Sequence, residues 1–293
     1  MPDIDDARVP GRAGAAPPIV RGTAAWRYFG DVRASLLAGQ VLVLQVAHPV
    51  VAAGVEDHSD YQRDPWTRLL RTAGSLATYV YGDPVGAQYE ADRLRELHRR
   101  FTGVTGDGRR YAALDQRAYA WVHATLVRQP VDAQRFFGRP LSRAELDEYY
   151  AQLREVGRRL GLRERHLPPD WAAFERYYAE MVAGFGPNDA IRTLFETIRT
   201  VPKPVSLLPD RVWAPLRDGQ ASAQSFLIAA TLPPVLRERL GLQWTDEQQR
   251  RFARLCRVTR LLGQVAPPPL LSAHVRLVAG LTVRRRRRWG LHP

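Results

Sequence analysis

The sequence predicts an all-α fold: a single globular helical domain of roughly ten helices. Three observations favour this fold. Apolar residues recur at helical spacing along most of the chain, capping residues precede these segments, and the alternation typical of strands is nearly absent. We expect the helical domain to span residues 23–283, between a disordered N-terminal tail (1–22) and an Arg-rich C-terminal tail (284–293).

The composition is that of an ordinary globular protein except for its charge. Hydrophobic residues make up 45% of the 293 residues and charged residues 25%, so the chain can bury a substantial core. The net charge of +13 comes almost wholly from arginine, since Lys203 is the only lysine, and this bias is typical of a GC-rich bacterial genome. The excess indicates either anionic partners or a well-solvated basic surface.

The N-terminal tail and the single cysteine favour a cytoplasmic protein. Residues 1–22 are acidic and then rich in Pro, Gly and Ala, without the basic and apolar regions of a secretory signal. With Cys256 alone, the chain can form neither an intramolecular disulfide nor a Cys-based metal cluster.

The first long apolar stretch, Ala34 to Val55, carries His48-Pro49 near its centre. Gln40 and Gln45 also interrupt it, so we expect a buried core helix rather than a membrane-spanning one. Because proline removes a backbone donor, we expect a kink that frees the Gln45 carbonyl and aims His48 toward a pocket.

Helix boundaries are clear in the rest of the chain. Asp64-Pro65 and Asp83-Pro84 each place an N-cap before a proline at the first helical position. Further N-caps and capping boxes are predicted at Asp115, Ser142 with Glu145, Asp170, and Thr245 with Gln248. C-caps are predicted at Gly82 and Gly161. The proline-rich segments 199–216 and 266–271 predict breaks, the first of them a long connecting loop.

The helix after Asp64-Pro65 carries two stripes at helical spacing. The apolar stripe consists of Trp66, Leu69, Ala73, Leu76 and Val80. The polar stripe consists of Arg68, Thr72, Ser75 and Tyr79. The polar stripe would either line a pocket or lie at an exposed edge of the domain, and spacing alone favours the edge.

Three histidines lie on predicted apolar helices: His48, His98 and His123. His98 falls on the inward stripe of its helix, between Leu94 and Phe101. A buried imidazole without a partner costs about 1–3 kcal/mol, so the pattern alone favours a core histidine bonded to a carbonyl over a metal ligand. The three histidines do not match the compact spacings of zinc or di-iron sites, whereas an iron held by a porphyrin needs only one or two protein ligands.

Several short motifs occur in order along this part of the chain. They are His-Pro at 48–49, Asp-Pro-x-x-Arg at 64–68, Arg-x-x-x-Thr at 68–72, Leu-His at 97–98 and Trp-Val-His-Ala-Thr at 121–125. Together they resemble the catalytic domain of MpaB-type oxygenases and rubber oxygenases (latex clearing proteins), over about Leu37 to Tyr178. The resemblance implies an all-helical oxygenase that holds haem b.

The resemblance also implies roles for single residues. His98 corresponds to the histidine that carries the iron in rubber oxygenases, which makes it the expected proximal ligand. Arg68, Arg71 and Thr72 match a segment on the opposite side of the haem, in which the family has a lysine able to close the sixth iron position. Arg71 stands in place of that lysine, and a guanidinium is a very poor ligand. We therefore expect a distal site that is open, water-filled or differently gated.

Further expectations follow from the same resemblance. Arg68 or Arg71 would pair with a haem propionate or polarise dioxygen, and Thr72 would donate a hydrogen bond to it. His48 and His123 would contact the cofactor as neighbours rather than as iron ligands. Apolar walls for a hydrophobic substrate would come from Leu69, Leu76 and Trp121. The oxidant would be dioxygen or peroxide.

Two other classes of function stay open. One is a non-enzymatic haem-binding or haem-sensing protein. The other is a basic helical protein that binds nucleic acid, which is disfavoured because the chain has no helix-turn-helix signature. The tail residues Arg284–Arg288 would contact an anionic membrane peripherally or nucleic acid, or they would stay solvated, and such runs are more often solvated.

Overall fold

Helix-capping side chains set most element boundaries in the structure, a computed structural model that describes residues 19–59, 64–205, 207, 209–265 and 271–273. Within those residues the chain forms twelve α-helices, two short 3-10 helices (Val32–Leu37 and Glu164–His166) and one hairpin. The α-helices are α1 (Ala24–Tyr28), α2 (Ala38–Val46), α3 (Pro49–His58), α4 (Pro65–Tyr81), α5 (Pro84–Arg99), α6 (Gln116–Phe137), α7 (Arg143–Arg159), α8 (Trp171–Ala183), α9 (Asp189–Thr200), α10 (Asp210–Thr231), α11 (Pro234–Arg239) and α12 (Asp246–Val265). The all-α prediction is confirmed.

The predicted N-caps are confirmed. The carboxylates of Asp64, Asp83, Asp115 and Asp170 each accept backbone N–H groups at the start of a helix. Ser142 and Glu145 form a reciprocal capping box, and so do Thr245 and Gln248. Gly161 follows α7 with a φ of +91°, a left-handed conformation that favours glycine.

The prediction of a long loop over 199–216 is wrong at both ends. Helix α9 continues to Thr200, and α10 begins at Asp210 and includes Pro215. Because Pro215 lies in the second turn of α10, its missing N–H removes only one helical hydrogen bond, at Arg211. The second predicted break, 266–271, falls almost entirely outside the described residues.

The kink predicted at Pro49 is instead a break between two helices. Helix α2 ends at Val46 and α3 begins at Pro49, and the chain bends by 104° between them. The Gln45 carbonyl is not freed, because it accepts the His48 backbone N–H at 3.2 Å. Among the described residues no single helix is long and apolar enough to cross a membrane, and the segments 32–46 and 49–58 reach that length only across this bend.

The hairpin was not predicted. Strands β1 (Thr102–Val104) and β2 (Arg110–Ala112) pair antiparallel, with Gly103 opposite Tyr111. Each has three residues, too few to show the alternation by which a strand is recognised in a sequence.

Helix α6 lies at the centre of the main core. Trp121 is fully buried on it, and its indole N–H donates to the Leu44 carbonyl at 2.7 Å. Tyr149 of α7 and Phe174 of α8 are also fully buried in this core. The predicted N-terminal tail falls mostly outside the described residues, although Ile19 packs against the core. The Arg284–Arg288 tail lies outside them entirely.

Candidate active site

Helices α4 and α5 are joined by a buried charged cluster. The Glu90 carboxylate is 1% exposed; it accepts the Ser75 hydroxyl of α4 at 2.6 Å and the Arg93 guanidinium at 2.6 and 2.9 Å. A buried carboxylate is tolerated when such partners satisfy it. The cluster therefore fixes the polar side of α4 against α5.

His98 lies on α5 two turns beyond Glu90, in a half-buried position. Its ring meets Phe101 and Tyr119 edge-on, at centroid distances of 5.8 and 5.7 Å. The Nδ1 atom is buried and makes no hydrogen bond of normal geometry.

The electrostatic surroundings keep the His98 ring neutral. Burial lowers its pKa, the backbone carbonyl of Leu94 opposes this effect, and the positive charges of Arg68 and Arg93 lower the pKa further. A neutral imidazole retains a lone pair, which is the form that binds metal ions. His98 is thus a half-buried ring with a lowered pKa beside two cationic side chains.

The structure brings Arg68 near His98, and it places Arg71 and Thr72 on the same exposed half of α4. All three side chains are exposed, whereas Ser75 and Tyr79 farther along the polar stripe face α5 and the interior. The two ends of the stripe thus have different environments: the start is open to solvent, and the end is packed.

The residues proposed as apolar walls have different environments. Trp121 is fully buried in the main core, and Leu69 is 54% exposed on α4. Leu76 is partly buried against the core. These environments differ because Trp121 is held in the core by its hydrogen bond to α2, whereas residues 68–72 in the first half of α4 are exposed to solvent.

His123 is a buried histidine in a different setting from His98. Its Nε2–H donates to the Leu153 carbonyl at 3.0 Å, and burial lowers its pKa to about 4. The ring packs so closely on α7 that a Cβ on Gly157 would approach Nε2 to 3.0 Å. It also borders a small cavity of about 10 Å³, which has room for about one water molecule.

His48 is the N-cap of α3. Its Nδ1 accepts the Val50 backbone N–H at 3.2 Å, and the ring meets Phe185 edge-on. Burial lowers its pKa. The opening apolar stretch therefore tolerates an imidazole because the ring replaces a missing helical partner.

Sequence reasoning missed Glu90, Tyr119 and His58. Glu90 follows Ala87 by three residues and precedes Leu94 by four, so helical periodicity places it on the inward face, and that signal was present. His58 stacks on Phe101 at 4.9 Å, and its Nε2 donates to the Thr102 carbonyl. That contact depends on the hairpin and had no signal in the sequence.

Residues 26–261 match the family described as "ER-bound oxygenase mpaB/B'/Rubber oxygenase, catalytic domain". The chain belongs to this oxygenase family. The matched residues include α4, α5 and α6 with all three histidines, so the helices that carry His98 and Arg68 are part of the family's catalytic domain. Membership places this chain among the oxidoreductases and agrees with its all-helical fold.

Two mycobacterial proteins are similar over most of their length. They are the uncharacterized proteins Rv2237 of Mycobacterium tuberculosis and Mb2261 of Mycobacterium bovis. Each is 30% identical over 236 residues, which cover 79% of this chain and 89% of the relative. No solved structure matches this member of the oxygenase family.

Proposed function

We propose that this oxygenase is haem b-dependent, with His98 as the axial iron ligand. The observation that carries the proposal is the state of the His98 ring. Its pKa is lowered, it is half-buried and packed by aromatic rings, and among the described residues its Nδ1 has no hydrogen-bond partner of normal geometry. Membership in an oxygenase family gives such a ring a redox role.

The residues around His98 suit a haem group better than a bare metal ion. Among the described residues, no group of three or more His, Cys, Asp or Glu side chains converges. A porphyrin supplies four iron ligands itself, so one imidazole is sufficient. Nε2 would hold the iron, and the buried Nδ1 would keep its proton beside the Leu94 carbonyl, which fixes the ring's orientation.

The exposed start of α4 supplies the other contacts of the proposal. Arg68, whose charge acts on His98, would bind a haem propionate, because a guanidinium pairs well with a carboxylate. Thr72 lies one turn farther on the same side and would donate a hydrogen bond within the distal space. Arg71 would hold charge there without ligating the iron. His48 and His123 stay outside the first contacts in this proposal, since both rings are used in structural hydrogen bonds.

Bound haem would supply the redox chemistry by which dioxygen or peroxide oxidises a substrate. The substrate class we propose is a hydrophobic small molecule, since the family description includes rubber oxygenase. We further propose a cytoplasmic protein, with peripheral contact to an anionic membrane through Arg284–Arg288.

The proposal is tested by absorption spectroscopy of protein expressed with a haem supply. The wild type should show a Soret band, and His98→Ala should lose it or shift it strongly. His48→Asn is the matched control: it removes an imidazole, keeps a side chain able to cap α3, and should retain the wild-type spectrum. A colourless wild type, or an unchanged band in His98→Ala, would contradict the proposal. Haem binding without oxidant consumption on any apolar substrate would instead indicate a haem-binding protein.

A further inference from the structure

Six large aliphatic side chains are exposed on three neighbouring segments of the molecule. They belong to the start of α4, the connection 201–209 and the start of α10: Leu69, Leu70, Val205, Leu207, Val212 and Leu216. Leu70 is 65% exposed and Leu207 93%. Single exposed aliphatic residues are common on protein surfaces, but a group of them indicates a contact surface. We call these six residues the aliphatic face.

Two tryptophans hold the three segments together. Trp66 of α4 and Trp213 of α10 meet edge-on at 6.4 Å. The Trp66 indole N–H donates to the Pro202 carbonyl at 2.8 Å, and the Trp213 indole N–H donates to the Val201 carbonyl at 3.3 Å. Leu69 and Leu70 follow Trp66 by one helical turn, and Leu216 follows Trp213 by one turn, so their side chains lie beside this pair.

The charge around the aliphatic face is positive. Helix α4 carries Arg68 and Arg71, with the N-cap carboxylate of Asp64 acting on Arg71, and α10 adds Arg211 next to Val212. The carboxylates of Asp210 and Asp218 are each paired with a neighbouring cation, Lys203 and Arg217, at 3.0 Å. The local excess of cationic groups would therefore attract an anionic surface.

We propose that the aliphatic face docks on an anionic lipid bilayer. Aliphatic side chains that enter the interface between headgroups and acyl chains, with arginines at their edge, bind such bilayers through buried apolar area and charge attraction together. The face lies on the Trp66 side of α4, whereas Ser75 and Tyr79 on its other side meet α5 and the His98 region. The docking surface borders the proposed haem site, because Arg68 and Arg71 belong to both, whereas Leu70 and Leu207 belong to the docking surface alone.

The test is sedimentation of the full chain with vesicles of phosphatidylcholine, alone or mixed with phosphatidylserine. The wild type should bind the mixed vesicles more tightly, and added salt should weaken this binding. A double variant, Leu70→Glu with Leu207→Glu, should bind the mixed vesicles at least about tenfold more weakly than the wild type. It removes apolar surface that the bilayer would bury, and it adds negative charge. The Arg284–Arg288 tail is the same in all variants and cannot account for a difference between them.

Leu262→Glu is the matched control, because Leu262 is 61% exposed but lies on α12. It should bind vesicles like the wild type, with circular dichroism used to verify that every variant is folded. The proposal is overturned if the control loses binding as much as the double variant, or if the double variant binds normally. It is also overturned if the wild type is a dimer without lipid and the double variant a monomer, since the face would then join two copies of the chain.

Discussion

His98 and His123 are both histidines on inward-facing helical stripes, yet their surroundings differ in every respect that matters for function. His123 is buried, its Nε2–H donates to the Leu153 carbonyl, and its pKa is lowered to about 4. His98 is half-buried, has no hydrogen bond of normal geometry at Nδ1, and is acted on by the charges of Arg68 and Arg93.

The difference separates a structural histidine from one available to a ligand. The His123 ring is packed between α6 and α7 and bonded to the Leu153 carbonyl. Any ligand that bound to Nε2 would have to break this buried hydrogen bond. Around His98 the first half of α4 is exposed on most sides although it contains Leu69 and Leu70. The His98 ring is therefore partly exposed beside an exposed helix surface, whereas the His123 ring is enclosed between helices.

The largest expected effect on stability comes from removing His123. His123→Ala should lower the free energy of unfolding by about 3 kcal/mol, since it opens a cavity and leaves the Leu153 carbonyl without its partner. His98→Ala should cost less than about 1 kcal/mol, because its ring is half-exposed and has no such hydrogen bond. Urea unfolding of both variants measures the two losses of stability. Similar losses in His123→Ala and His98→Ala would contradict the contrast between the two histidines.

Acid should destabilise the protein through His123. Its pKa of about 4 in the folded state lies below the value of roughly 6.5 in the unfolded chain, so the unfolded state binds the proton first as the pH falls. Stability is full above pH 6.5 and should decrease by about 2 kcal/mol between pH 6.5 and 5. Urea unfolding across this range should show a weaker dependence in His123→Phe, and an unchanged dependence in that variant would refute the assignment.

Gly157 lies on α7, the helix that the His123 ring packs against, so a substitution there tests how tight this contact is. In Gly157→Ala the new Cβ would lie 3.0 Å from His123 Nε2 and 2.9 Å from Leu167 Cδ2, so these two side chains must shift. We expect a loss of about 1–2 kcal/mol, measured by thermal unfolding. Gly219→Ala is the control: nothing lies within 4 Å of its new Cβ, and the change should be neutral or stabilising.

A smaller effect than at Gly157 or His123 is expected at His48. His48→Ala should cost about 1 kcal/mol by removing the cap on Val50, whereas His48→Asn should restore most of that loss. Chemical unfolding of the two variants measures the difference. Equal losses in both would mean that His48 acts through its contact with Phe185 rather than as a cap.

The sequence was sufficient for features that depend on local chemistry. The N-caps at Asp64, Asp83 and Asp115 were predictable because each cap bonds only to the next turn. The inward position of His98 followed from the periodicity of α5. The family resemblance was confirmed over residues 26–261.

Features that depend on distant partners were not predictable. His123 and His98 have the same periodicity signal, and only the carbonyl of α7 distinguishes them. The Glu90–Ser75 contact joins two helices, and the stacking of His58 on Phe101 requires the hairpin. The sequence predicted a loop at Pro215, whereas the structure places it inside α10. A sequence does not show at which position a helix tolerates the loss of one backbone hydrogen bond.

The central claim, that the His98 imidazole is the iron ligand, is tested most directly by chemical rescue. His98→Gly should be purified after expression with a haem supply, and its absorption spectrum recorded with and without added imidazole. We predict that the variant lacks the wild-type Soret band and that imidazole restores it by occupying the vacated ring position. A variant that shows the wild-type spectrum without imidazole would contradict the account.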